Sequence, residues 1–89
     1  MKELDLGNFK SVKNFYTKNQ FIIEMEKGII FQSYNSIIVV QTKNKTYLNK
    51  EFWDYSKTTG KYRNLFLKET KEVIKKKIES GLYQLIDLD

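Results

Sequence analysis

Short apolar runs separated by turn residues fill the middle of the chain, and this alternation predicts β-structure. The runs lie at residues 20–26, 29–33, 37–40 and 46–49. They are separated by residue types that favour turns, at residues 27–28, 33–36 and 43–44. Residues 37–40 are four β-branched residues without alternation, a pattern typical of a strand that is covered on both faces. We therefore expect an antiparallel β-meander of about four strands, with residues 37–40 in a central strand.

A helical period precedes this region. Phe9, Val12 and Tyr16 recur at i, i+3 and i+7, and Asn8 is a residue type that caps helix N-termini. The spacing predicts an amphipathic helix over residues 8–18 that packs against the meander.

Two further helices are predicted after the meander. Ser56 is a candidate N-cap for a helix over about residues 57–67, with Thr58 and Thr59 as alternative caps. Thr70 is a candidate N-cap for a second helix, which ends before Gly81 at its C-terminal end.

The tail at residues 82–88 alternates in a way that suits an edge strand. The expected fold is therefore a single α+β domain over residues 1–89. In it, an antiparallel meander of about four strands is packed by one N-terminal and two C-terminal helices, with a candidate edge strand at the C-terminus.

The composition argues against several kinds of chemistry. The chain has no cysteine and no histidine, so it lacks thiolate ligands, a thiol nucleophile and the commonest general base. No apolar run approaches the roughly 18 residues that a membrane span requires. We therefore expect a non-enzymatic cytoplasmic protein without a metal or a cofactor, and without membrane association.

A basic and aromatic stretch is the candidate contact surface. The net charge is +5, and residues 27–50 hold four lysines and no acid. Lysines interleaved with rings suit single-stranded nucleic acid, and exposed aromatic rings are enriched in binding hot spots. An ordinary solvated surface and a lysine-rich codon bias explain the same residues. The candidate partner-binding residues are Lys43, Lys45, Tyr47, Lys50, Trp53, Tyr55, Lys57, Lys61 and Arg63.

Arg63 has a second, structural interpretation, because lysine fills every other basic position. A guanidinium can hold a carboxylate with two parallel hydrogen bonds, which an ammonium cannot. Asp54 is the nearest candidate partner in the sequence, so an Asp54–Arg63 pair is expected to fix the corner between strand and helix.

Two blocks of sequence, FQSYNSIIVV at 31–40 and YLNKEFWDYSKTTGKYRNLFL at 47–67, resemble a family of small uncharacterised proteins from bacteriophages and bacteria. The resemblance implies a shared fold and a phage origin, and the family offers no activity or catalytic residue to carry over. The positions that match its motifs are Gln32, Ser33, Tyr34, Asn35, Trp53, Asp54, Tyr55, Ser56, Thr58, Thr59, Tyr62, Arg63 and Asn64.

These observations favour a phage-type accessory protein that binds a host protein or ribonucleoprotein through residues 43–63, in the cytoplasm of the host cell. Host takeover and inhibition of a defence system, as by an anti-CRISPR-like inhibitor, are the expected roles. Binding of single-stranded DNA or RNA through the same region is the alternative. A small enzyme using Asp54, Arg63 and the nearby hydroxyls is a third interpretation, which a deep pocket would support. The identity of the partner and the oligomeric state are left open.

Overall fold

The computed structural model describes residues 4–88, which form a six-stranded sheet and two helices. The strands are β1 (Phe9–Phe15), β2 (Thr17–Met25), β3 (Gly28–Ser33), β4 (Ser36–Thr42), β5 (Thr46–Asn49) and β6 (Tyr83–Ile86). The helices α1 (Lys57–Leu67) and α2 (Lys71–Ser80) lie between β5 and β6 in the chain. Within residues 4–88, neither helix is long and apolar enough to cross a membrane.

The sheet is mixed, with its strands in sequence order from β1 to β6. Strands β1 to β5 pair antiparallel, and β6 returns after the two helices to pair parallel with β5. The predicted four-stranded antiparallel meander is therefore wrong. Strands β2 to β5 lie where the apolar runs predicted them, and β6 lies in the alternating tail. The additional strand, β1, comes from the N-terminal region.

The N-terminal helix predicted over residues 8–18 is wrong, because this segment forms β1 and the turn after it. Phe9 pairs with Met25 and Val12 with Ile23, and a register shift between Phe9 and Ser11 leaves one extra residue in β1. This β-bulge places Phe9 and Val12 on the same face of a strand although they are three residues apart. The bulge therefore produces the spacing that a helix would show.

The two C-terminal helices begin at the predicted caps. The Ser56 hydroxyl accepts a hydrogen bond from the Thr59 amide, and the Thr70 hydroxyl accepts one from the Val73 amide. Gly81 ends α2 in the left-handed conformation at φ 87°, as expected for a glycine at this position.

The helices cover one face of the sheet, where the larger core lies. Its floor is one cross-strand row of directly paired residues, Ile22, Phe31, Val39 and Leu48. Leu67 and Ile74 of the two helices pack against it. A register shift in β4 opposite β3 places Ile38 in this core beside Val39, which explains the missing alternation at residues 37–40.

A second, smaller core lies on the other face of the sheet. The adjacent row of paired residues, Ile23, Ile30, Val40 and Tyr47, forms its floor. Leu6 and Leu88 cover it. Both lie in terminal segments outside any helix or strand, so this face is covered by irregular chain and not by helices. Both faces of the central strands are therefore buried.

Among residues 4–88, one buried polar side chain makes no hydrogen bond. Gln20 is fully buried, and within the described part of the chain neither atom of its amide group makes a hydrogen bond. It lies directly opposite Ser33 on the neighbouring strand. Because an unpaired buried polar group costs about 1–3 kcal/mol, this part of the interior is not optimised for stability alone.

We expect Gln20→Met to raise the free energy of unfolding by about 1–3 kcal/mol, because it removes the unpaired amide at nearly the same volume. Urea unfolding followed by circular dichroism measures the change. The matched control is Gln84→Met on the exposed surface of β6, which should change stability by less than about 0.5 kcal/mol. A loss of stability in Gln20→Met would show that the amide is hydrogen-bonded in solution.

Candidate functional site

The chain turns sharply after β5, and Asn49 begins this turn. Its side-chain Oδ1 accepts hydrogen bonds from the amides of Glu51 and Phe52, at 2.9 and 3.1 Å. Its Nδ2 donates to the carbonyl oxygen of Ile37 at 2.7 Å, which anchors the turn to β4. The Trp53 amide then donates to the Asn49 carbonyl oxygen. Residues 50–56, the corner, are thus held against the sheet by a buried asparagine.

Arg63 holds the corner from the other side. Its side chain is 1% exposed, and Nη1 donates to the Trp53 carbonyl oxygen at 2.7 Å and to Asp54 Oδ1 at 3.1 Å. Nε and Nη2 both donate to Asn64 Oδ1, at 3.1 and 2.9 Å. The guanidinium also lies 5.1 Å from the centroid of the Trp53 ring. The expected contact with Asp54 is present as a single hydrogen bond, and two other N–H groups of the guanidinium converge on one oxygen, Asn64 Oδ1.

Asp54 carries a second cation on its other oxygen. Lys71 Nζ lies 2.7 Å from Asp54 Oδ2 and connects the corner to the start of α2. Burial by itself raises the pKa of Asp54, but the hydrogen bonds from Lys71 and Arg63 lower the pKa by more, so it lies below its usual value of 3.8. Asp54 therefore stays ionised and serves as a structural anion.

Three turns of the chain meet at one end of the sheet, which we call the tyrosine end. It comprises the turn at Tyr16, the turn at residues 33–36 and the corner. Within residues 4–88, the tyrosines that are more than half exposed all lie here: Tyr16 at 74%, Tyr34 at 51% and Tyr55 at 69%. Such rings combine apolar area with a polar tip, and they are enriched at binding hot spots.

Two of these tyrosines lie on strained backbone. Tyr16 has φ 67° and Tyr34 has φ 54°, a region that bulky side chains rarely adopt. Strain of this kind costs about 1–3 kcal/mol at each site and tends to collect at functional sites. The Tyr16 ring also lies 4.7 Å from the centroid of Phe15 and 6.3 Å from that of Tyr62.

A cavity of about 440 Å³ opens at the tyrosine end between the turn at residues 33–36 and the corner. Ile38 and Phe52 supply apolar walls, and Tyr34 and Tyr55 are its exposed aromatic lining residues. The remaining lining residues carry hydroxyl or amide groups: Ser33, Asn35, Ser36 and Thr59.

The buried hydroxyls of this cavity retain a free donor. Ser33 Oγ and Thr59 Oγ1 lie 3.0 Å apart and share one hydrogen bond. Since each hydroxyl carries one proton, one O–H group remains able to donate to a bound group. The cavity can therefore receive an apolar group that carries a hydrogen-bond acceptor.

A wider groove lies at the opposite end of the sheet. It has a volume of about 1160 Å³, and its floor is the cross-strand row Glu24, Ile29, Gln41, Thr46 and Tyr83. Its lining includes Lys10, Lys27, Lys43, Lys45 and Lys77 together with Asp5, Glu24 and Glu26. The charges of this groove are mixed, so it lacks the single sign expected of a phosphate-binding surface.

The structure divides the candidate partner-binding residues into separate groups. Lys43 and Lys45 lie at the groove, and Tyr47 lies in the second core. At the tyrosine end are the exposed Lys50, Tyr55, Lys57 and Lys61 and the half-buried Trp53. Arg63 is buried beneath them. The groove and the tyrosine end are separated by the length of β4, roughly 20 Å for its seven residues.

Some residues of the tyrosine end were missed by sequence reasoning. Tyr16 was assigned to a helix, and Lys18 and Tyr34 were not connected to the corner because turns distant in sequence meet only in the folded sheet. A partly buried ion pair was also missed: Lys77 contacts Glu69, which accepts a hydrogen bond from the Tyr83 hydroxyl at 2.5 Å.

Comparison with protein families identifies one match. A family model, described as a family of unknown function, matches residues 3–81. The chain belongs to this family, DUF8033. The match spans both motif blocks and agrees with the resemblance to an uncharacterised family. Neither a curated protein nor a solved structure matches the DUF8033 chain.

We expect Arg63→Lys to lower the free energy of unfolding by about 2–3 kcal/mol, because an ammonium cannot reproduce the hydrogen bonds to Trp53, Asp54 and Asn64. Thermal and urea unfolding measure this loss. Lys61→Arg is the matched control, since it is the reverse exchange at an exposed position of the same helix. Equal stability of the two variants would contradict the structural role of Arg63.

We also expect a pH dependence that comes from Asp54. Its pKa is lower in the folded chain than in the unfolded chain, so its ionised form stabilises the fold above pH 3.8. This contribution is lost as the pH falls through the lower folded pKa. Urea unfolding between pH 6 and pH 2.5 should therefore show the wild type converging on Asp54→Asn as the pH falls. A difference that stays constant over this range would contradict the assignment.

Proposed function

We propose that this protein is a small, non-enzymatic accessory protein of bacteriophage type that binds a host macromolecule through the tyrosine end. The observation that supports binding is the gathering of three exposed tyrosines at one end of the sheet, two of them beside a cavity. The phage origin, and with it a role in host takeover or inhibition of a defence system in the host cytoplasm, rests on the resemblance of the two motif blocks.

A protein or ribonucleoprotein partner fits the shape of this end best. The cavity has the size of sites that take a small ligand, which also suits one or two side chains of a partner. Tyr34 and Tyr55 stand beside it as rigid rings that lose little conformational entropy on binding. Hot spots in protein interfaces are enriched in such rings and cluster in well-packed pockets.

The charges at the tyrosine end favour a partner with acidic groups. Lys18, Lys50, Lys57 and Lys61 are exposed there, against the one exposed carboxylate of Glu51 and the paired carboxylate of Asp54 in the described part of the corner. Asp54 is engaged by Arg63 and Lys71. Lysines at the rim of an interface increase the rate of association with an acidic surface more than they increase affinity.

Catalysis is not part of this proposal. The groups that line the cavity are hydroxyls, an amide and aromatic rings, and Asp54, the nearby carboxylate, is held by two cations. A general base with a pKa near neutrality would be needed for acid–base chemistry. The cavity residues therefore suit recognition better than reaction.

Binding of single-stranded DNA or RNA is the second candidate, and the exposed rings with adjacent lysines favour it. Bases stack on aromatic side chains while lysines contact phosphates. However, Lys43 and Lys45 lie at the other end of the sheet, so the continuous basic surface expected over residues 43–63 is not formed. The nucleic-acid proposal then rests on the lysines of the tyrosine end alone.

We expect the variant Tyr34→Asn with Tyr55→Ala to lose the host partner while keeping the fold. Asparagine is chosen at position 34 because it tolerates the left-handed backbone. Immobilised wild type should retain a specific component of host lysate, identified by mass spectrometry, which the double variant does not retain. Leu82→Ala is the control, since Leu82 is 69% exposed, like Tyr55, but lies at the opposite end of the sheet.

Two outcomes would contradict the proposal. One is that the wild type retains no specific component, and the other is that the double variant retains the same component as the wild type. Titration with oligothymidine distinguishes nucleic-acid binding from protein binding. Oligothymidine bound at the tyrosine end should change the fluorescence of Trp53, and its affinity should fall steeply with salt.

A further inference from the structure

Within residues 4–88, the first strand of the sheet has one edge that pairs with no other strand. β1 is the outermost strand on its side, and six of its seven residues are exposed. Such an edge presents backbone N–H and C=O groups that can pair with another extended chain.

The direction of each backbone group in β1 follows from the pairing of β2. The Tyr34 amide donates to the Asn19 carbonyl oxygen, so the backbone of Asn19 faces β3. The backbone N–H and C=O groups of successive residues point to opposite sides of a strand, so those of Ile22 and Glu24 point toward β1. There they lie opposite Lys13 and Ser11, whose backbone groups point toward β2. The backbone groups of the intervening Val12 and of Asn14 therefore point away from the sheet.

The side chains of β1 define what could lie beside it. Phe9 and Val12 are 60% and 53% exposed, and they project on the face of the second core, opposite Met25 and Ile23. An apolar side chain on an added strand would extend this core and cover Val12. On the other face of the same strand, Lys13 is exposed.

The charge of this edge selects among partners. Strand β1 itself carries Lys10 and Lys13 and no acid, while Glu24 of β2 lies opposite Ser11, one strand in from the free edge. In an antiparallel pairing of two copies centred on Val12, the two Lys13 side chains lie on the same face at diagonal positions. A second copy of the chain would therefore bring like charges together. The lysines that disfavour such a pairing attract a strand that carries carboxylates.

We propose that the free edge of β1 binds an extended acidic segment of a partner protein as a seventh strand. Val12 and Asn14 supply the backbone hydrogen bonds. Apolar side chains at alternate positions of the segment pack beside Val12, and carboxylates on the opposite face contact Lys13. This surface is independent of the tyrosine end.

The test uses a synthetic peptide of alternating glutamate and valine, Glu-Val-Glu-Val-Glu-Val-Glu, and amide hydrogen exchange of the full chain. The peptide should slow exchange at the amides of Val12 and Asn14, and the peptide with lysine in place of glutamate should not. Binding by charge alone would leave these two amides as exchangeable as in the free protein, and this result would overturn the proposal.

Charge-reversal variants give a second readout. Lys10→Glu with Lys13→Glu should weaken peptide binding at least tenfold, whereas Lys75→Glu with Lys76→Glu, at exposed positions of α2, should leave it unchanged within twofold. Val12→Pro removes one outward N–H from an edge strand that tolerates proline there, and should abolish the protection at Asn14. Equal binding by the two lysine variants would overturn the proposal. Protection of Val12 that rises with protein concentration without peptide would also overturn it, in favour of a second copy of the chain.

Discussion

A buried guanidinium cannot be left without hydrogen-bond acceptors, and this constraint organises the corner after β5. Taking an unpaired charge out of water costs several kcal/mol, so the chain around Arg63 must bring acceptors to it from several directions. The Trp53 carbonyl oxygen, the Asp54 carboxylate and the Asn64 amide oxygen provide them. Two of these acceptors belong to the corner and one to α1. Satisfying the guanidinium therefore sets the position of the corner relative to the helix, and with it the positions of Tyr55 and the cavity.

The two cores determine which surfaces are left for recognition. Helices cover one face of the sheet and the terminal segments cover the other, so neither face of the central strands is accessible. What remains are the two ends of the sheet and its edge strands. The tyrosine end differs from the other end in its exposed tyrosine rings, two of which lie on left-handed backbone at Tyr16 and Tyr34. That strain must be offset by contacts elsewhere, so these two turns hold their exposed rings at a cost in stability.

The elements that sequence reasoning predicted well are those with a local cause. Helix α1 begins after Ser56 and α2 ends at Gly81 because capping is decided within one turn of helix. The N-terminal region was wrong because a β-bulge changes the parity of a strand, so that Phe9 and Val12 share a face at a spacing that also fits a helix. The parallel return of β6 and the meeting of Tyr16 with Tyr62 could not be predicted, since both depend on contacts between residues far apart in sequence. The contact between Arg63 and Asp54 was expected from chemistry alone, but the acceptor role of Asn64 was not.

The net charge of +5 is dispersed over the molecule, and this dispersal bears on how it can act. Lysines lie along β1, at the far groove and at the tyrosine end, and the last two sites are separated by the length of β4. At physiological ionic strength, interactions between exposed charges are screened beyond about 8 Å, so lysines roughly 20 Å apart do not reinforce one another. The tyrosine end therefore attracts an acidic partner only through its own four lysines and β1 only through two, while the five lysines of the groove lie among acids. Specific binding must then come from short-range contacts, which are the rings and the cavity at the tyrosine end and the unpaired backbone groups of β1.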